Sequence, residues 1–472
     1  MLQAMSNNKP IMLMGCTSDA GKSWIAALLC RRLVQRGVDT APFKAQNMSN
    51  NAAATDDGGE IGRAQYLQAQ AAKVAATTDM NPVLIKPHCD TQAQVIVQGK
   101  RVDDIHAHAW HERKAILWPA VESSLGRLQS KHQQIVIEGA GSPAEVNLRK
   151  SDIVNMEVAL ACKADVYLVV DIDRGGAYAH LLGTMQCMSE QERALVKGFV
   201  INKFRGEQAL LDDANRWIEQ QTGVPIVAVI PYTANQLPEE DSFKHRYSWR
   251  AKQLNVALIA YPFASNLEEF DPLFYQSGVN IVPVTRYETL GDFDAAILPG
   301  AKQVAVARRF LSDTGLDKEI AKFAASDKPL LGICGGMQLL GGAIRDPHQI
   351  EGGDVSGLGL LPIETELTPS KTTEKRQVAW QGHMLEGYEI HVGSSVTTSM
   401  AEAYIEEGTG WQQGNIAGTY LHGLFENQVF TQAWLRQLGW SGVASDWQAH
   451  LDQELDRLCC LLESQLDAII DR

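Results

Sequence analysis

The chain has little that would place it in a membrane, on nucleic acid or outside the cell. No apolar run reaches the ~18 residues that span a bilayer. Positive charge is in deficit: 42 Lys and Arg against 56 Asp and Glu leave a formal net charge of −14. That balance argues against a general nucleic-acid or membrane-surface role. An anionic substrate stays compatible with it, because a pocket can be basic within an acidic protein. Only 8 of 472 residues are cysteine, scattered without a C-x-x-C pair. The adjacent Cys459 and Cys460 cannot readily bridge within one helix. Such usage fits a reducing compartment. Met1–Lys9 carries no apolar region of signal-peptide type, and the expectation is a cytoplasmic protein. Internal repeats, low-complexity tracts and charge blocks are also missing.

What is present is an alternation of short apolar runs and helical periods, in a chain long enough for two or three domains. Ile11–Met14, Gln134–Glu138, Val166–Asp171, Gly198–Asn202 and Ile226–Ile230 read as buried strands. Lys22–Arg36 reads as a helix, with Trp24, Ile25, Leu28, Leu29 and Leu33 at helical spacing. A second series runs through Val256–Ile259, Ile281–Val282, Ala295–Leu298 and Leu330–Ile333. The fold class is therefore α/β, with parallel sheets covered on both faces and ligands at the carboxyl ends of the strands. The expected divisions are a first domain over 1–235, a polar linker over 236–250, a second domain over 251–445 and a helical tail over 446–472. Leucines recur along that tail near helical spacing. It is expected to pack against the second domain, with a helix for a homodimer as the alternative.

Two segments carry recognisable chemistry. Pro329-Leu-Leu-Gly-Ile-Cys334-Gly-Gly-Met-Gln338 is a buried strand that breaks into glycines directly after a cysteine. Such a turn exposes its last side chain, as in the nucleophile elbow of the α/β hydrolases. A helix starting at Gly335 aims its N-terminus at the sulfur and favours the thiolate. Flanking glycines let a substrate carbonyl reach backbone N–H groups, as an oxyanion hole requires. Downstream, Gly418-Thr-Tyr-Leu-His422-Gly-Leu-Phe425 offers the base a cysteine nucleophile needs. Leu298-Pro-Gly300 ends another strand and supplies a second oxyanion donor. In this order the three elements resemble a class I glutamine amidotransferase domain of flavodoxin-like build. The resemblance implies release of ammonia from glutamine by Cys334 and His422, with Gly300 and Gly335 at the oxyanion hole. Most members carry a glutamate two residues after the histidine, where this chain has Leu424. Glu426 is the candidate substitute, and what orients His422 stays open.

The second segment is Gly15-Cys-Thr-Ser-Asp-Ala-Gly21-Lys22-Ser23, between a strand and a helix, the context of a phosphate-binding loop. Five residues separate its two glycines, one more than in the standard Walker A loop. Backbone N–H groups along Thr17, Ser18, Asp19 and Ala20 still face phosphates, Lys22 neutralises them and Ser23 reaches Mg²⁺. Glu138 ends a strand where a Walker B-type acid belongs. The longer loop resembles the dethiobiotin synthetase group of ATPases, P-loop NTPase-type enzymes that phosphorylate a carboxylate or carbamate. That resemblance implies ATP and Mg²⁺ as cofactors, Glu60 as a second metal ligand, and Asn202 and Lys203 at the nucleotide base. Asp171 and Asp173 end another strand and are candidates to line the substrate cleft.

Further segments narrow the family. These are Phe43-Lys-Ala-Gln-Asn-Met-Ser-Asn-Asn-Ala52, Glu60-Ile-Gly-Arg63-Ala-Gln65, Asn81-Pro-Val-Leu-Ile-Lys86-Pro87, Gln94-Val-Ile-Val-Gln-Gly99-Lys100 and Gly387-Tyr-Glu-Ile-His391. With the loop and the cysteine motif they resemble the cobyric acid synthase family over nearly the full chain. The resemblance implies amidation of the b, d, e and g carboxylates of a corrinoid, adenosylcobyrinic acid a,c-diamide, with glutamine as nitrogen donor. Lys44, Gln46, Asn47, Arg63, Lys86 and Asp90 are then the expected contacts to phosphate or to the polycarboxylate ring. Cobyrinic acid a,c-diamide synthase, which shares both domains, is the alternative.

Overall fold

The computed structural model describes residues 9–89, 92–102, 112–238, 253–405 and 408–472. Its first sheet has six parallel strands. Their spatial order is Ile226–Pro231, Val196–Phe204, Asp165–Asp171, Ile11–Gly15, Gln134–Glu138 and Thr40–Phe43. The runs rich in Val, Ile and Leu suit strands buried on both faces. Chain order reverses about Ile11–Gly15, so the carboxyl end of that strand opens the crevice where such sheets bind ligands. The glycine loop sits there. Helix Lys22–Gln35 follows it and buries Ile25, Leu28, Leu29 and Leu33.

The second sheet has five parallel strands, ordered Val279–Val284, Leu254–Ile259, Ala295–Leu298, Leu330–Ile333 and Ile416–Thr419. Gly410–Gln413 and Glu402–Ile405 extend it antiparallel at one edge. Both halves are therefore α/β, as expected. Most of the linker expected over 236–250 lies outside the described residues. Among the described residues no helix is long and apolar enough to cross a membrane.

One large element carries no strong sequence signal. Ile363–Trp380 and His383–Thr397 form an antiparallel hairpin, closed by Gln381 and Gly382 at positive φ (48° and 79°), the primed-turn geometry that matches strand twist. Its residues are largely polar and half-exposed, so periodicity is weak. Ile390 on this hairpin packs against Ala52, Leu84 and Ile96 of the first domain.

The tail packs on the first domain along most of its length, while its first turn meets the second as expected, with Trp447 stacked on Tyr275 at 5.8 Å. Helices Trp447–Leu461 and Glu463–Ile470 bury Leu451, Leu455, Leu458, Leu462 and Leu466 in one cluster with Ile25, Leu28, Leu29 and Leu33 of the first domain. Arg31 Nε donates to Asp456 (2.8 Å) and the guanidinium also pairs with Asp452. Arg32 binds Asp467 (2.8 and 2.7 Å) and Arg36 binds Asp471 (2.6 Å). Leucine spacing fixes a face and not its partner; the matched rows of arginine and aspartate select the first domain. Five of the tail leucines are thus buried within the chain, while Leu461 is exposed.

Candidate active site

Strand Leu330–Ile333 is buried throughout and ends at Cys334, whose backbone stands at φ 52°, ψ −112°. Holding a non-glycine residue there costs on the order of 1–3 kcal/mol and marks a site fixed by its surroundings. The Cys334 N–H donates to the Thr419 carbonyl at 2.7 Å, and helix Gly335–Leu340 begins at once. Gly336 is required by this turn, since a Cβ there would lie 2.0 Å from the Leu298 carbonyl oxygen. A Cβ on Gly335 would lie 2.7 Å from Ala301 N, so the two expected oxyanion segments are neighbours. Gly300 is as crowded, its Cβ position 3.2 Å from His422 Cε1.

His422 is buried. Its Nδ1 lies 3.0 Å from Glu269 Oε1, and Gly423 N–H donates to Glu269 Oε2 at 3.1 Å. The Tyr388 ring stacks on the imidazole at 5.2 Å. Burial opposes protonation of His422, but Glu269 and the hydrogen bond with Cys334 lift its pKa from 6.5 to about 10. An imidazolium beside a thiol stabilises the thiolate form that attacks. Glu426, the expected substitute acid, instead accepts from Arg63 at 3.0 Å. The carboxylate bonded to His422 is that of Glu269, supplied by a short 3-10 helix, Leu267–Phe270. In the sequence it is one of two adjacent acids far upstream of the histidine, with no spacing that links them.

At the first sheet, Gly21 stands at φ 95° with its Cβ position 2.2 Å from Asn202 Nδ2, a closeness only glycine allows. Asn202 donates to the Ala20 carbonyl (2.8 Å), and Lys203 Nζ to the Asp19 carbonyl (3.1 Å) and Asp171 (2.8 Å). Both residues expected at the nucleotide thus brace the loop, while Ser18 and Asp19 at its tip are exposed. Asp171 is drawn into this bracing. Ser23 Oγ donates to Glu138 Oε1 at 2.6 Å and Lys44 Nζ lies 2.8 Å from the same atom. Gln68 donates to Glu138 Oε2 at 2.6 Å and Gln65 at 3.4 Å. Lys22 is buried beside them; burial lowers its pKa, Glu138 opposes that and Lys44 adds to it. The Mg²⁺ that a phosphate-binding fold implies takes hard oxygen donors. The Ser23 hydroxyl and the Glu138 carboxylate are such a pair, so these residues fit it.

The remaining expected residues separate. Gln46 and Asn47 lie on the short strand Gln46–Met48, beside Val83–Cys89. Asp90 lies outside the described residues. Glu60 does not join Ser23 and Glu138: its oxygens are taken by Lys86 (2.5 Å) and Lys371. Burial would raise the Glu60 pKa, but the two ammonium groups bring it to about 2. As placed, Glu60 pairs each of its oxygens with a lysine at the domain boundary. Arg63, expected at the substrate, is half-buried between Glu268 (2.9 Å) and Glu426. The cavity holding Cys334 and His422 is lined also by Asn50 and Lys86 of the first domain, with Lys302 and Lys371 of the second. Lys302 donates to Gln94 across the same boundary. Burial lowers the Lys371 pKa to about 8, partly offset by Glu60. The cavity around Cys334 and His422 is therefore walled by both domains.

Comparison with known proteins gives one family match in each half of the chain. Residues 11–242 match the CobQ/CobB/MinD/ParA nucleotide binding domain, and residues 255–430 the CobB/CobQ-like glutamine amidotransferase domain. A cobyric acid synthase of Deinococcus radiodurans is 46% identical over 442 residues, covering 90% of this chain and 92% of that protein. Two solved structures align in part: a glutamine amidotransferase (18% identity, 39% of this chain, 99% of that one, TM-score 0.32) and PurLQS from Thermotoga maritima (17%, 44%, 99%, 0.30). Likeness that partial adds nothing to the assignment. On the full-length relative and the two domain matches, the chain belongs to the cobyric acid synthase family and is a glutamine-dependent ligase.

Proposed function

We propose that the chain amidates the b, d, e and g carboxylates of adenosylcobyrinic acid a,c-diamide in cobalamin biosynthesis, giving adenosylcobyric acid. The observation that carries the two-site reading is the cavity itself, which joins Cys334 and His422 to first-domain residues Asn50 and Lys86. Cys334 attacks the glutamine side-chain carbonyl; its developing oxyanion meets backbone N–H groups around Gly335 and the Gly300–Ala301 segment. His422 delivers the proton that lets ammonia leave, and water then frees glutamate from the thioester.

A carboxylate is a poor acyl donor, so the first domain must activate it. Transfer of the ATP γ-phosphoryl group to a carboxylate oxygen gives an acyl phosphate and ADP; ammonia then attacks the carbonyl carbon and phosphate leaves with that oxygen. Lys22 and Lys44 stand ready to balance phosphate charge, and the Gly15–Gly21 backbone cradles it. Ser23 and Glu138 would hold Mg²⁺, which supplies neutralisation of phosphate charge when bound.

The test is product mass. Incubated with the a,c-diamide, glutamine and MgATP, the protein should give stepwise amidation through four additions. Conversion of cobyrinic acid that stops at the diamide would assign the a,c-diamide synthase reaction instead. Carboxylate ¹⁸O should appear in released phosphate, and unlabelled phosphate would exclude the acyl-phosphate route. Cys334→Ala should lose glutamine as donor while keeping ammonium salts as donor.

A further inference from the structure

Arg63 belongs to the first domain yet touches three groups around the glutaminase base. Its Nε lies 2.9 Å from Glu268 Oε1, and Glu268 directly precedes Glu269, the acid bonded to His422. Its Nη2 donates to Glu426 at 3.0 Å, in the turn that follows His422. Its guanidinium lies 5.8 Å from the centre of the Tyr388 ring, the ring stacked on the imidazole. Asn51 and Ala52 fasten the same corner: the Asn266 N–H donates to Asn51 Oδ1 at 2.8 Å and Ala52 N–H donates to Asn266 Oδ1 at 2.9 Å. Asn266 in turn donates to the Tyr388 hydroxyl at 3.1 Å.

Arg63 is also the first residue of helix Arg63–Ala71. Gln65 and Gln68 on that helix hold the Glu138 carboxylate. One rigid element of nine residues thus ends at the glutaminase base and is seated by its middle on the nucleotide site. Coupling between sites is carried by packed elements whose two ends feel different ligands.

We infer that Arg63 is a positioning residue for the glutaminase reaction: supplied by the ATPase domain, it sets the Glu269–His422 pair and ties it to the nucleotide site through its own helix. This rests on the two-site reading above. Charges paired at this partly buried corner explain why the position is exacting. Glu268 and Glu426 are like charges facing each other near Glu269, and only a cation between them lets the acids stay close. Burial and the neighbouring acids push the Glu268 carboxyl up to about 7, with Arg63 pulling it down.

The experiment uses the full chain and reads three quantities. Release of glutamate from glutamine should fall about tenfold in kcat for Arg63→Met with KM little changed. Arg63→Lys should recover part of that loss, because it keeps a cation. Glu268→Gln should fall similarly, and the Arg63→Met/Glu268→Gln double variant should lose no more than either single one. The third quantity is alkylation of Cys334 by iodoacetamide, followed by peptide mass. A non-hydrolysable ATP analogue with Mg²⁺ should change its rate in the wild-type chain and not in Arg63→Met. Additive losses in the double variant, an unchanged kcat, or an analogue effect that survives in Arg63→Met would overturn the inference. A wild-type chain without glutaminase activity would overturn the two-site reading itself, which is a separate outcome.

Discussion

Glu269 Oε1 stands 3.0 Å from His422 Nδ1, and the second oxygen of that carboxylate accepts the N–H of Gly423. A carboxylate held at both oxygens by one turn fixes the orientation of the ring within it. With Nδ1 committed to Glu269, Nε2 is left for the thiol of Cys334. The base is thus oriented by a residue from a separate element, and the position two residues after the histidine is free to be Leu424, which is fully buried in the core.

Replacing that acid by its amide should be costly. Glu269→Gln keeps size but can present its NH₂ to Nδ1 and favour the wrong tautomer. A loss of about 10²- to 10⁴-fold in glutaminase kcat follows, by analogy with carboxylate removal from a catalytic triad. Amidation from ammonium salts should hold. Glu426→Gln should lose less, because that acid acts through Arg63. A larger loss for Glu426→Gln than for Glu269→Gln would mean the orienting acid has been misassigned.

The same pair predicts a pH dependence of stability. His422 has its pKa raised in the folded chain, from 6.5 to about 10, with burial opposing and Glu269 and Cys334 lifting it. A raised histidine contributes stability that is complete below pH 6.5 and is lost as pH climbs through about 10. Glu269→Gln removes the leading cause of the rise. Melting temperatures taken between pH 6 and 10 should therefore differ most at pH 6 and converge toward pH 10. A gap that widens with pH would show that the imidazolium is not what the carboxylate stabilises.

Much of this site could be read from the sequence, because its parts have local causes. A strand that breaks at Cys334-Gly335-Gly336 and a strand that ends in Gly15 to Ser23 each announce a turn within one short segment. Strands Gln134–Glu138, Ala295–Leu298 and Leu330–Ile333 fall where their apolar runs do. What could not be read depends on distant contacts. Glu269 meets His422 across 153 positions, and nothing near either residue encodes the meeting. The polar hairpin Ile363–Trp380 and His383–Thr397 gains its order from what it packs on. Glu60 and Arg63 sit in a family motif and were expected at metal and substrate; the structure gives their charges to the domain boundary instead.

At the nucleotide site, Glu138 balances two buried lysines. Its pKa is lowered: burial would raise it, but Lys44, Ser23 and Lys22 dominate. Glu138→Gln leaves those ammonium groups without their anion, which costs about 3–5 kcal/mol when a buried pair is broken. The melting temperature without nucleotide should drop accordingly. Lys22→Ala relieves the like-charge contact, so it should destabilise far less while abolishing amidation from glutamine and ammonium alike. Retained ATP-dependent amidation in Lys22→Ala would remove the loop from the mechanism.

The tail gives the last prediction. Leu458 is fully buried between the tail and helix Lys22–Gln35, and Arg31 is 1% exposed with Asp452 and Asp456 as partners. Leu458→Ala removes apolar contacts and leaves a cavity, a loss of about 2–5 kcal/mol for a core leucine. Asp452→Asn with Asp456→Asn removes the two anions that face the Arg31 guanidinium, whose bond to the Asp452 backbone carbonyl remains, at a cost of about 1–3 kcal/mol. The two changes act on one helix, and that helix begins with Lys22 and Ser23. Both variants should therefore weaken nucleotide binding and ammonium-dependent amidation before they touch glutamine hydrolysis at Cys334. Had the tail served the second domain, the order would be reversed. Activity from the two nitrogen sources, followed as temperature rises, separates the outcomes: glutaminase outlasting amidation supports the placement, and the opposite sequence of losses refutes it.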